Sequence, residues 1–355
     1  MAPQNTRRDF LAGRALLRLV DTSATPSEIA PPQAGPTIRL ETRAMACPWA
    51  VVLNPGPPAL IMHASDVLDR VHPLEDLLSI YREQTPVAQL RHLPAGEWRK
   101  LPDEVFQLLL RCRDLSLATD GAFDPAAGPV IRAWREARQQ GRIPSLEEIA
   151  MALQNCGYSR FIQFDEEQRA VRSSITGVEV DLGSIGKGYA LDRVAEGLIE
   201  AEIASFLAHG GFSTMVARGS HHGHPGWPVG LRNPLFPDRN FATVMLRDRA
   251  LSTSGSNVQF FRYQGKRYGH ILDPRTGWPV DGMLSVTVTA PTAELADALS
   301  TAFYVMGIDA SQRYCQDHPE IGAILIPRLM QGRELTPSIC NLADEDLFWT
   351  DQVAD

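Results

Sequence analysis

Cysteine is scarce in this chain and scattered where it occurs. The five, Cys47, Cys112, Cys156, Cys315 and Cys340, are odd in number and include no Cys-x-x-Cys pair. That excludes the common zinc, iron–sulfur and redox-dithiol spacings and leaves buried or incidental thiols as the reading. Long apolar runs are missing too. None approaches the roughly 18 residues of a membrane-spanning helix, so the expectation is a soluble protein, or a soluble body on a short tether. No Lys/Arg block interleaved with aromatics occurs, and with a net charge of -8 and a pI of 5.6 a nucleic-acid surface is not expected. No internal repeat is visible.

What is present suffices for a large core: 355 residues, of which 44% are hydrophobic. The start, Thr6-Arg7-Arg8-Asp9-Phe10-Leu11, is similar to a twin-arginine export motif. The apolar stretch behind it, Leu11 to Val20, is short and broken by Arg14 and Arg18, which leaves two readings open. One is an exported, membrane-associated protein of bacterial type, and the other a short cytoplasmic amphipathic arm. Asp21 to Pro36, rich in Pro, Ser, Thr and Ala, reads as a linker. Residues 1–36 are therefore set apart from a body spanning 37–350.

Within the body, periodicity predicts strands at Ala50 to Leu53, Phe161 to Phe164, Gly177 to Leu182, Phe206 to His209, Thr243 to Leu246, Ser285 to Thr289 and Ala323 to Ile326. It predicts helices at Ala64 to Ile80, kinked by His72-Pro73, and at Pro102 to Thr119, Leu146 to Gln154, Tyr189 to Glu200 and Ala293 to Met306. The two kinds mix without regular alternation, so an α+β fold is expected rather than a doubly wound sheet.

Three segments are dense in chemistry. Asp181 to Asp192, Asp-Leu-Gly-Ser-Ile-Gly-Lys-Gly-Tyr-Ala-Leu-Asp, places three glycines and Lys187 where the change of period predicts that a strand turns into a helix. Such a turn suits phosphate, because backbone N–H groups at a helix start face an anion. A structural Gly-rich turn explains it equally well, since neither the P-loop nor the dinucleotide-binding spacing is there. Ser252-Thr253-Ser254-Gly255 is followed by His270-Ile271-Leu272-Asp273-Pro274-Arg275-Thr276-Gly277, a loop-borne polar group in which His270 is a general base or a structural histidine. Asp297 and Thr301, four apart on one helix face, are hard oxygen ligands for Mg²⁺ or Ca²⁺, or a polar pair at the edge of a packed helix.

In order along Thr37 to Met306, Arg43-Ala44-Met45, Ser79-Ile80-Tyr81, Gly121-Ala122-Phe123-Asp124-Pro125, Asp181 to Asp192, Gly210-Gly211, Thr253-Ser254-Gly255, His270 to Gly277 and Asp297-Ala298-Leu299-Ser300-Thr301 together resemble the ApbE-type flavin transferases, which move FMN from FAD onto a protein. The resemblance implies an α+β, two-lobed single domain with a cleft for FAD. It implies that FAD meets Met45, Tyr81, Ala122, Phe123, Asp124, Lys187, His270 and Ile271. It further implies a divalent metal, Mg²⁺ with Ca²⁺ or Mn²⁺ as substitutes, held by the Ser184 carbonyl, Asp297 and Thr301.

His270 matches the family's base, with Asp273 placed to orient it or to hold metal-bound water. The implied partner is an acceptor protein whose threonine or serine hydroxyl receives the flavin. FAD hydrolysis to FMN and AMP, and flavin binding with little turnover, are the alternatives. The chain departs from the family pattern at Ala46-Cys47, Phe212 and Asn257, where ring stacking and acceptor recognition are at stake.

Overall fold

The computed structural model describes residues 32, 35–255, 260–329 and 335–350. The twin-arginine-like start, most of the linker and Asn257 lie outside the described residues. Its centre is an eight-stranded sheet in the order β1 (Ile38–Ala44), β2 (Cys47–Leu53), β6 (Phe206–Gly210), β7 (Thr214–Arg218), β10 (Ala250–Gly255), β13 (Met283–Ala290), β14 (Gly322–Pro327) and β15 (Ser338–Cys340). Every neighbouring pair is antiparallel, so helices are not needed as crossovers between parallel strands. The fold is α+β, as expected.

Alternation along these strands separates two apolar faces. Val51 and Leu53, Phe206 and Ala208, and Val286 and Val288 join the larger core cluster. Val52, Ala217, Leu251, Ile324 and Ile326 point the other way, into a second cluster shared with a three-stranded sheet of β16 (Leu347–Trp349), β9 (Asn240–Leu246) and β8 (Trp227–Arg232). Two small sheets complete the strands: β3 (Arg99–Lys100), β5 (Ala170–Ser173) and β4 (Ile162–Asp165), and the hairpin of β11 (Phe260–Tyr263) with β12 (Lys266–Gly269).

The helices are α1 (Pro58–Leu68), α2 (Val71–Leu78), α3 (Asp103–Ala118), α4 (Gly128–Gln139), α5 (Leu146–Gln154), α6 (Tyr158–Phe161), α7 (Gly186–Glu200), α8 (Ala293–Met306) and α9 (Ile308–Asp317). The single helix expected over Ala64 to Ile80 is instead two. The break falls at Asp69-Arg70, so Pro73 sits in the first turn of α2, where its missing N–H costs nothing. Gly177 to Leu182 is not a strand either; its alternation reflects Val178, Val180 and Leu182 packing into the core from an extended segment. Ser145 and Glu148 form a reciprocal capping box on α5, which accounts for the agreement of that helix with its expected bounds.

Helix α8 matters most for the site. It is buried along most of its length, and small residues such as Ala296, Ala298, Ser300 and Ala302 let the sheet and α7 come close. Polar groups on such a helix must find partners inside the protein.

Candidate metal and nucleotide site

Helix α8 starts under strong control. Thr292 caps it by accepting the Leu295 N–H at 3.3 Å, while the buried Asp192 of α7 accepts the Ala293 and Glu294 N–H groups at 2.8 and 2.9 Å. Burial pushes the Asp192 carboxyl up to about 6 against those two hydrogen bonds. One turn later stands Asp297, 4% exposed.

Four other residues surround the Asp297 carboxylate. Thr214 Oγ1 donates to Oδ1 at 2.9 Å and Ser252 Oγ at 3.2 Å. The Gly188 N–H donates to Oδ2 at 3.1 Å, and Lys187 Nζ lies 3.4 and 3.3 Å from the two oxygens. The positive end of α7 thus does meet an anion, but the anion is the protein's own Asp297.

Gly188 explains its own residue type. A Cβ there would lie 2.2 Å from the Ala293 carbonyl oxygen, so only glycine lets α7 and α8 start against each other. Gly188 N–H is one of the helix's first, unladdered donors, and Ser184 precedes the Ile185 N-cap, so its carbonyl lies outside the helical ladder, whose first bond runs from the Tyr189 N–H to the Ile185 carbonyl.

Lys187 Nζ also donates to the Gly183 carbonyl at 3.2 Å. The ammonium therefore marks a place, between a loop carbonyl and a buried carboxylate, where positive charge is stabilised by oxygen alone. Thr301, one turn beyond Asp297, faces Ser254 Oγ at 3.2 Å, and Ser300 joins the same hydroxyl strip at 2.8 Å. These donors suit a hard divalent ion that keeps open positions for phosphate oxygens. Among the described residues no group of three or more His, Cys, Asp or Glu side chains gathers to hold a metal, so the fit rests on one carboxylate with hydroxyl and carbonyl oxygens.

The tips of two neighbouring hairpins approach this cluster. Met45 and Ala46 turn β1 into β2 with φ of 49° and 59°, and Gly211 and Phe212 turn β6 into β7 with φ of 63° and 59°. Positive φ at non-glycine residues such as Met45 and Phe212 is uncommon. Cys47 stands between the tips: a Cβ on Gly211 would be 3.3 Å from its sulfur. Burial pushes the Cys47 thiol up, opposed by the nearby positive charge of Lys187.

The remaining expected residues divide between the core and the protein surface. Ala122 and Phe123 are buried. Asp124 accepts the Ala126 and Tyr158 N–H groups at 2.7 and 3.0 Å, and burial raises its carboxyl despite them; its visible work is to hold the turn. Ile271 is buried, whereas His270, just past β12, is exposed.

Asp273 is gripped at both oxygens by Arg275 at 2.9 Å and closes a local turn with Thr276 and Gly277. Tyr81 is 75% exposed and lines a cavity of about 460 Å³ with Arg91, Arg132, Arg135, Gly128 and Asp181. That cavity touches the glycine-rich segment at Asp181 but does not include Asp297.

Sequence reasoning missed Thr214 and Gly188 as partners of Asp297. No signal for Thr214 was available, since its part follows from the pairing of β7 with β10.

Comparison with known proteins gives a consistent result. The sequence model of the ApbE family matches residues 45–325. A FAD:protein FMN transferase of Klebsiella pneumoniae is 30% identical over 268 residues, covering 75% of this chain and 82% of the relative. One of Treponema pallidum is 30% identical over 76% and 78%. The crystal structure of the ApbE protein of Thermotoga maritima superposes with a TM-score of 0.76 at 29% identity, covering 85% of this chain and 97% of the other. The apo flavinyl transferase ApbE of Pseudomonas stutzeri does so with 0.73 at 28%, covering 88% and 96%.

Proposed function

This chain belongs to the ApbE family, and on that premise we propose that it is a divalent-cation-dependent FAD:protein FMN transferase. It moves FMN from FAD to a threonine or serine hydroxyl of an acceptor protein and releases AMP. The observation that carries the reading is the Lys187–Asp297 ion pair set among hydroxyl and carbonyl oxygens.

In this reading Asp297, the Thr301 hydroxyl and the Ser184 carbonyl would hold Mg²⁺, with Ca²⁺ or Mn²⁺ answering to the same donors. Bound there, the ion would neutralise the pyrophosphate and stabilise charge on the leaving oxygen. Lys187 exchanges its hold on Asp297 for the pyrophosphate oxygens of FAD, which compensates the acidic balance of the chain. Tyr81 and Met45 contact the flavin nucleotide, Phe123 backs it, and Ala122, Asp124 and Ile271 shape its surroundings.

The acceptor oxygen attacks the FMN-side phosphorus, its proton passes to His270, and the bond to the AMP oxygen breaks. Asp273, fixed by Arg275, keeps the loop that carries His270 in place.

Incubation with FAD, Mg²⁺ and an acceptor is expected to give covalently flavinylated acceptor and AMP in equal amounts. Asp297→Ala is expected to lower AMP release by about 1,000-fold, the scale of losing a principal electrostatic group. Unchanged release by that variant would overturn the metal assignment, and AMP formed equally fast without any acceptor would replace transfer by FAD hydrolysis.

A further inference from the structure

Two of the scattered cysteines lie on neighbouring elements. Cys315 lies on α9 and Cys340 ends β15, where it pairs with Ala323 of β14. Four side-chain hydrogen bonds tie the strand end to the helix and the turn behind it. Gln312 Nε2 donates to Ser338 Oγ at 2.8 Å, and Asn341 Nδ2 donates to the carbonyls of Cys315 at 2.7 Å, His318 at 3.3 Å and Ile321 at 2.9 Å.

Gln312 and Cys315 are one turn apart on one helix face, and Ser338 and Cys340 are two apart on one strand face. The alignment that joins 312 to 338 therefore brings 315 to 340, and Cys340 packs against the buried cluster that contains Cys315. Cys315 is buried and Cys340 half-buried. Interaction with Cys340, and then burial, push the Cys315 thiol up. Cys340 is the more accessible sulfur and the one an external disulfide reaches first.

We propose that Cys315 and Cys340 are a covalent modification site, forming an intramolecular disulfide that staples the edge strand β15 to helix α9. The oxidant is a disulfide of a low-molecular-weight thiol. The Cys340 thiolate attacks one of its sulfurs, giving a mixed disulfide and one small thiolate. Cys315 then attacks Cys340 Sγ, expels the second small thiolate and passes its proton to it. Two protein thiols are oxidised and one small disulfide is reduced to two thiols.

Cys112 and Cys156 are buried, and burial is the first cause of their raised thiols, so they serve as internal references. The inference does not depend on the flavin reading.

The test treats the folded chain with oxidised glutathione, blocks free thiols with N-ethylmaleimide and maps peptides without reduction after trypsin, which can cut between the two sites at Arg328. The expected product is a 315–340 cross-linked peptide pair two hydrogens lighter than its components. It should accompany a Tm rise of about 5 °C over the reduced chain, reversed by dithiothreitol and absent in Cys340→Ser. Glutathione retained on Cys340 without a cross-link, alkylation of both residues, or a Tm rise that survives in Cys340→Ser would overturn the proposal. Should Cys340→Ser fail to fold, the peptide map of the unsubstituted chain decides alone.

Discussion

Asp297 and Asp273 are both carboxylates held by a cation, yet they are built in opposite ways. Asp297 takes its partners from α7, β7 and β10, far away in sequence, and lies almost wholly out of water. Asp273 finds Arg275, Thr276 and Gly277 within four residues on a loop. The first carboxylate reports that the fold has assembled. The second reports only that its own turn has closed. In the proposed reaction the packed region would receive the charge of the pyrophosphate, and the loop region would move a proton.

The comparison breaks most visibly at His270. Truncation of a general base costs on the order of 100- to 10,000-fold in rate, so His270→Ala is expected to lower kcat for flavin transfer by that range while leaving the denaturation midpoint in place. His270 itself is exposed, which makes this a clean measurement. A fall in thermal stability comparable to that of a core substitution would mean that the His270 side chain is integral to the packed region, and the contrast would fail.

Gly188→Ala attacks the other side. A Cβ would press on the Ala293 carbonyl and on Glu294 Cα, 2.7 Å away, so α7 and α8 must separate at their starts. Overpacking of this kind costs about 1–3 kcal/mol, and the Gly188 bond to Asp297 would be disturbed as well. Urea unfolding should show the loss together with a fall in activity. Arg275→Ala, which releases only an exposed local pair, is expected to cost less than 1 kcal/mol; equal losses from the two substitutions would erase the distinction.

The same local-versus-distant division governs what could be read in the sequence. Helix α5 was legible to the residue because its capping box is local, and α8 because its whole apolar pattern is helical. The Asp297 and Thr301 pair followed from helical spacing. What spacing could not give was the filling of Asp297's coordination by Lys187, Gly188, Thr214 and Ser252, which depends on how strands 214–218 and 250–255 pair.

Gly177 to Leu182 misled for a related reason. Alternate burial arises in any extended segment laid on a core, and a strand also needs a partner for its N–H and C=O groups, which no local pattern reveals. Pro73 was likewise visible as a break, but its position in the first turn of α2 was set by where the preceding helix stopped.

Two buried ionisable groups offer a finer measurement on the packed region. Asp192 has its carboxyl raised to about 6 by burial, so between pH 4 and 6 the folded chain binds more protons there than the unfolded chain. Its contribution to stability falls as pH rises through that window. His209, on β6, has its imidazole lowered to about 4, first by burial and then by Arg39. Between pH 4 and 6.5 the folded chain binds fewer protons there, and stability falls as pH drops.

The two slopes oppose, each worth roughly 3 kcal/mol at most, and near cancellation is expected over their shared range. His209→Gln should expose a decline in stability from pH 4 to 6, and Asp192→Asn a rise from pH 4 to 6.5. Identical pH profiles for the two variants would show that these groups do not carry the titration.

Tyr81 gives the smallest effect and bears on where the nucleotide lies. Its ring is mostly exposed, and its N–H is bonded locally to Ser79 Oγ at 3.2 Å, so the fold gains little from the aromatic side chain. A ring that stacks on the flavin would contribute about 1–1.5 kcal/mol, equivalent to roughly a tenfold change in affinity. Tyr81→Ala is therefore expected to raise KM for FAD about tenfold with kcat and Tm unchanged, and Tyr81→Phe to behave like the parent, because stacking needs the ring and not the hydroxyl. An unaltered KM in Tyr81→Ala would detach the cavity beside Arg91 and Arg132 from the path of FAD. The nucleotide would then have to reach Asp297 from the side of the Met45 and Phe212 hairpin tips.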